Sequence, residues 1–200
     1  ALLDAVKPFD LFISGGVTAF EQKTATTSGD SATFDAADVK SLNKGFTTVD
    51  VTQLAQKDVY QSNAVNATTK NATMTSLGDL TISAGGVSST FITEGKTYQQ
   101  LADEITTKTG MNASVEQVGT DSYRLVVKSE DSGTANQLTI TGAASQALGF
   151  TTDGTAVNST NHILTSKDMM AKVDGVEYNV ASNTLTVDGL KITANKVGTS

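Results

Sequence analysis

The chain has 200 residues with a net charge of −7, no cysteine, no tryptophan and a single proline, and 38% of it is hydrophobic against only 18% charged. That apolar fraction fills one large core or two small ones, the acidic balance with Arg124 as the one arginine argues against a nucleic-acid partner, and the missing thiols exclude disulfides, thiol nucleophiles and thiolate metal sites. Thr, Ser and Asn supply roughly 60 residues, a composition that favours strands, turns and polar surface over long helices.

Residues 1–20 form an apolar run, Leu2, Leu3, Val6, Phe9, Leu11, Phe12 and Ile13, interrupted by Pro8 and stopped at Gly15-Gly16. This reads as the tail of a helix. The chain starts without Met and runs out close behind a strand-like pattern at Lys191 to Thr193, so a piece of a longer protein is expected; Ala1-Leu2-Leu3 lacks the basic start of a signal peptide. Residues 21–31 are polar and turn-prone. Phe46 to Val51 alternates apolar and polar after Gly45 and predicts a strand. A stretch without period follows, ending in an Asn/Ala/Thr-rich linker from Asn63 to Thr75.

Between 77 and 142 the punctuation is clearer. Leu80 and Ile82, the Gly85-Gly86 turn and Ser89 to Ile92 predict a strand pair. Thr97-Tyr98-Gln99-Gln100 has the form of a capping box, in which the Thr97 hydroxyl and the Gln100 amide each satisfy an orphan backbone N–H. Tyr98, Leu101 and Ile105 then share a helical face, with Gly110 as the stop. Ala113 to Val118 and Tyr123 to Lys128 read as strands around Gly119-Thr120-Asp121, and Leu138 with Ile140 opens another. The block is strand, strand, helix, strand, strand, strand.

Asp174-Gly175 and Asp188-Gly189 each predict a hairpin, pairing Val173 with Val176, Lys172 with Glu177, Val187 with Leu190 and Leu185 with Ile192. A two-stranded unit cannot bury a face alone, so these hairpins need the strand near residue 50. The expectation is a β-rich α+β protein of two antiparallel-sheet domains, one inserted into the other. Residues 1–68 with 152–200 form a discontinuous base β domain, and 69–151 form the inserted α+β domain with a short helix.

Chemistry-bearing patterns are sparse. His162, the sole histidine, follows Ser159-Thr160-Asn161 and reads as a surface loop residue; no Gly-x-Ser-x-Gly elbow accompanies it. Glu130-Asp131 and Asp35 with Asp38 read as solvated acidic loops. Gly85-Gly86 lacks the context of a phosphate cradle, and the isolated Asp-Gly pairs lack that of a calcium loop. The sequons at Asn66, Asn71, Asn112 and Asn158 carry no weight in a chain this rich in Asn and Thr. No catalytic, cofactor-binding or metal-binding residue is therefore nominated, no cofactor is expected, and the partner-binding residues stay unassigned. An enzyme reading would have to pass through His162.

Leu80-Thr81-Ile82, Gly85, Thr97 to Ile105, Ala113-Ser114-Val115, Tyr123 to Ser129 and Ser132-Gly133 resemble the module of bacterial flagellar axial proteins. Phe46 to Gln56, with its Val-x-x-Leu-Ala ending at Leu54-Ala55, is similar to the signature near the start of the filament-cap family, hook-associated protein 2. Asp174-Gly175, Ser182-Asn183-Thr184 and Asp188-Gly189-Leu190 are similar to its return segment. Together these cover most of residues 40–195. One departure is Val180-Ala181, where the family often has Arg-Ser.

The resemblance implies a structural, non-enzymatic protein of the extracellular filament tip. In the full-length protein, copies form a ring, hold flagellin and promote its folding and polymerisation. It further implies export by the flagellar type III pathway without a cleaved signal peptide, no nucleic-acid partner and no membrane insertion. The chain would be the heads without the helical legs. The competing readings are another flagellar axial protein and a surface adhesin binding host mucin or glycan.

Overall fold

The computed structural model describes residues 12–13, 17–18, 28–38, 42 and 45–200. Most of the apolar run at 1–20, including the expected helix tail up to residue 11, lies outside these residues, as do 21–27 of the expected loop. The described part of that run is extended: β1 (Phe12–Ile13) pairs antiparallel with β2 (Val17–Thr18).

Two sheets build a first core. β3 (Ala32–Ala36) pairs with β15 (Leu190–Ala194), which forms a hairpin with β14 (Thr184–Val187) across Asp188-Gly189. β4 (Val49–Gln53) lies between β12 (Met169–Val173) and β16 (Gly198–Thr199), and β12 forms a hairpin with β13 (Val176–Val180) across Asp174-Gly175. Asp174 and Asp188 have φ of 50° and 49° and precede Gly175 and Gly189 at 86° and 77°, the conformation in which a two-residue turn follows the strand twist. All four expected cross-strand pairs form, Lys172 with Glu177 as a surface ion pair at 3.1 Å. Val49, Val51, Met169, Ala171, Val173, Leu185 and Ile192 fill this core.

The second core lies between two sheets. One has the order β10-β6-β7, with β6 (Asp79–Ala84), β7 (Val87–Ile92) and β10 (Leu138–Thr141). The other has the order β11-β5-β9-β8, with β5 (Val59–Gln61), β8 (Met111–Gly119), β9 (Ser122–Ser129) and β11 (His162–Leu164). Helix α2 (Tyr98–Thr106) buries Tyr98, Leu101, Ala102 and Ile105 against them. Its capping box is complete: Gln100 N–H donates to Thr97 Oγ1 at 3.3 Å, and Thr97 N–H to Gln100 Oε1 at 2.9 Å. No helix among the described residues is long and apolar enough to cross a membrane.

The structure corrects several sequence expectations. The strand near residue 50 starts at Val49 and leaves Phe46 fully exposed. The linker 63–75 holds helix α1 (Ala67–Asn71), capped by the Asn66 side chain on Thr69 N–H. Asp35 lies on strand β3 opposite Lys191 rather than in a loop, though it stays exposed. Helix α3 (Ala143–Leu148) packs Ala144 and Leu148 into the second core between Gly142 and Gly149. His162 is not a surface loop residue: it begins β11, and its side chain is only 13% exposed.

Candidate functional site: the joint between the two cores

The chain passes from the first core to the second between Ala55 and Asp58 and returns between Leu164 and Asp168. At the crossing Gln56 and Lys167 form an isolated antiparallel bridge, exchanging N–H···O bonds of 2.9 and 3.0 Å. Gln56 Nε2 adds a bond to the Thr165 carbonyl at 2.8 Å. The two crossing segments are thus zipped together rather than running as free linkers.

On the first-core side, Asn183 mimics a strand neighbour. Its Oδ1 accepts from Ala55 N–H at 2.6 Å and its Nδ2 donates to the Ala55 carbonyl at 3.0 Å, satisfying both backbone groups of a buried residue. Gln53 Nε2 donates to the Asp168 carbonyl at 2.7 Å.

A third segment, Ser132-Gly133-Thr134 of the second core's β9–β10 connection, closes the joint. The Asp168 carboxylate accepts from Thr134 N–H and from Thr134 Oγ1, both at 2.8 Å. Ser132 Oγ donates to the Ala181 carbonyl at 2.7 Å, and Gly133 N–H to the Gln56 carbonyl at 3.2 Å. Gly133 is needed for two reasons. Its φ is 100°, outside the reach of most L-residues, and a Cβ there would sit 2.5 Å from Ala181 Cβ, 2.8 Å from Ala181 Cα and 2.9 Å from Asp168 Oδ1.

On the second-core side the fully buried Asp58 carboxylate gathers strands. Its Oδ2 accepts from Leu138 N–H at 2.7 Å and its Oδ1 lies 2.5 Å from His162 Nε2. The Asp58 backbone N–H donates to Ser129 Oγ at 3.0 Å, and its carbonyl accepts from Ser129 N–H at 2.9 Å. His162 stacks flat on Tyr60, with centroids 4.0 Å apart and planes 6° off parallel. Burial, with the Asp58 charge as the smaller cause, pushes the Tyr60 hydroxyl up to about 12. His162 is thus the side-chain partner of Asp58 in the interior.

The sequence-nominated acidic residues are not gathered with it: Asp35, Asp38, Glu130 and Asp131 are all exposed. Among the described residues no group of three or more His, Asp or Glu side chains is placed to hold a metal ion. Sequence reading missed Asp58 and Asp168 as organising carboxylates. It did single out Leu54-Ala55-Gln56, Ser132-Gly133 and Ser182-Asn183-Thr184, for their resemblance to flagellar proteins, and all three converge on this joint.

No protein-family model matches the chain. Flagellar hook-associated protein 2 of Escherichia coli strain K12 is 30% identical over 176 residues, covering 84% of this chain and 35% of the relative. That of Campylobacter jejuni is 27% identical over 188 residues, covering 75% of this chain and 29% of the relative. The chain spans about a third of the length of the curated relatives it matches. Among solved structures, the D1-D2-D3 domains of the flagellar cap protein FliD from Escherichia coli superpose with a TM-score of 0.71 at 27% identity, covering 90% of this chain and 56% of that one. The D2-D3 domains of the same protein give 0.66 at 25% identity, covering 88% of this chain and 96% of that one. The chain thus belongs to the flagellar hook-associated protein 2 family and is similar to that portion of it which the D2-D3 structures represent.

Proposed function

We propose that this chain is the head portion of a flagellar filament cap. It sits outside the cell at the distal tip and assembles with further copies into a ring. There it holds flagellin subunits, promoting their folding and polymerisation and preventing their loss. The observation that carries this reading is coverage: the chain accounts for 96% of a D2-D3 cap-protein structure and most of its own length is accounted for in return. The role is structural, with no reaction step, and export by the flagellar type III route without a cleaved signal peptide belongs to the same reading.

The proposal includes a division of the chain. The unit around the first core is discontinuous, and the unit around the second core is inserted into it. Strand β5 pairs with β9 and carries Tyr60 into the second core, and β11 pairs with β5, which favours the crossing at Gln56 and Lys167 as the boundary, somewhat outside residues 69 and 151.

The test is made in cells. A strain lacking the parent gene is expected to release monomeric flagellin into the medium and to bear absent or stubby filaments, with complementation restoring both. Normal filaments without leakage would refute the cap role and direct the next experiment to adhesion on mucin or glycan.

A further inference from the structure

The sheet β10-β6-β7 ends in an edge of an unusual kind. β7 reads Val87-Ser88-Ser89-Thr90-Phe91-Ile92, with no charge, no proline and an unbroken register against β6. Natural edges are normally blunted by charge, bulges or shortness, and the other edges described here follow that rule. β8 carries Glu116 and a register shift and lies under α2; β13 carries Glu177, β3 carries Asp35, β11 has three residues and a register shift, and β10 and β14 have four. β7 is the longest neutral edge among the described residues.

The direction of its free backbone groups follows from its turn. Gly85 and Gly86, with φ of 54° and 81°, join Ala84 to Val87 as a two-residue turn whose flanking pair is hydrogen-bonded. Ser89 and Phe91 therefore also bond to β6. The N–H and C=O groups of Ser88, Thr90 and Ile92 face the other way, on residues that are all exposed.

We propose that this edge pairs with the same edge of a second copy of the chain, antiparallel about a two-fold axis at Thr90. Three equally spaced outward residues fix the register: Thr90 faces the partner's Thr90, and Ser88 faces the partner's Ile92. The pairing is isologous, so every contact occurs twice. A second copy fits this edge. Two copies each carrying −7 repel, and pairing here brings no like charges opposite one another: Glu94 falls opposite the partner's Gly86, and Asp79, across β6 from Ile92, shares its row with the partner's Ser88 and Ser83. The outer face extends as well. Thr141, Thr81 and Thr90 already form one row across three strands, with Thr81 Oγ1 and Thr90 Oγ1 3.0 Å apart. The two-fold axis doubles that row, adding a Thr–Thr pair of the kind that stabilises sheets.

The absence of cysteine makes the test direct. Opposed hydrogen-bonded residues have Cα atoms about 5.5 Å apart, within disulfide reach. Oxidised Thr90→Cys is expected to form covalent dimer at least about tenfold faster than Thr139→Cys, an equally exposed site on β10. In sedimentation, the unmodified chain is expected to pass from monomer to dimer as concentration rises, and Thr90→Lys to need at least about tenfold more protein, because two ammonium groups then share the axis. Thr90→Lys should keep the melting temperature of the monomer, since the side chain points to solvent. A single monomeric species at every concentration up to ~1 mM, equal cross-linking at positions 90 and 139, or a dimer indifferent to Thr90→Lys would each overturn the pairing. None of these outcomes bears on the cap reading, which flagellin leakage tests separately.

Discussion

His162→Ala should be among the most damaging single substitutions in the second core, and the structure sets its size. Asp58 is fully buried, with one oxygen on Leu138 N–H and the other on His162 Nε2. Removing the imidazole leaves a buried carboxylate with half its partners, a change worth about 3–5 kcal/mol when no water enters. The lost stacking on Tyr60 adds about 0.5–1.5 kcal/mol. His162 is 13% exposed, so water reaches the vacated space and brings the expected total to about 3 kcal/mol. Asp58→Asn keeps an acceptor for Leu138 N–H and should cost less, about 1–2 kcal/mol. In a cycle with Asp58→Ala, the double variant should be less destabilised than the sum of the singles by about 2 kcal/mol, since the second removal no longer strands a charge. Urea unfolding followed by circular dichroism, with tyrosine fluorescence reporting on Tyr60, measures all four proteins. A His162→Ala variant within about 0.5 kcal/mol of the parent, or a coupling near zero, would refute the reasoning that this pair holds the interior charge.

Thr97→Ala removes one half of the capping box and should cost about 1 kcal/mol, read as a lower urea midpoint with unchanged slope. Tyr60 has its hydroxyl raised from 10.0 to about 12, so the unfolded chain ionises first: its contribution to stability is intact below about pH 10 and is lost as pH rises through about 12, amounting to about 2–3 kcal/mol. Tyr60→Phe should flatten that alkaline fall, and an unchanged profile would exclude Tyr60 as its source. Gly133→Ala forces a Cβ onto Ala181 at positive φ and should cost about 2–4 kcal/mol, visible as faster amide exchange at the substituted residue and Thr134 while the cores stay protected; unchanged exchange there would show that the joint relaxes freely.

The parts of this fold that sequence reveals are those whose cause lies within a few residues. Gly85-Gly86, Asp174-Gly175 and Asp188-Gly189 specify turn conformation on the spot, and the turn then fixes the register of both strands. Thr97 and Gln100 meet within a single helical turn. Strand β3 escaped because Asp35 and Asp38 make its text look solvated, and because the strand that pairs it, β15, lies at the other end of the chain. Helix α3 is too short for periodicity to register, although Gly149, left-handed at φ 91°, was a readable stop. His162 was misread for a related reason. Ser-Thr-Asn-His is polar text, and what buries the ring is a carboxylate 104 residues away, which no local pattern carries.

The joint shows the same division between what is local and what is not, and it has a mechanical consequence. Bending the two cores apart requires opening the Gly133–Gln56 and Ser132–Ala181 bonds and the paired Thr134–Asp168 contact together. With net values of about 0.5–1.5 kcal/mol for neutral bonds and more for those on a carboxylate, the clamp is worth about 5 kcal/mol. Thermal opening is then on the order of one molecule in several thousand. A flexible tether would need none of the residues found there: neither a glycine pressed against Ala181, nor an amide reproducing a strand edge for Ala55, nor a carboxylate spent entirely on Thr134. Their presence argues that the angle between the cores is itself specified.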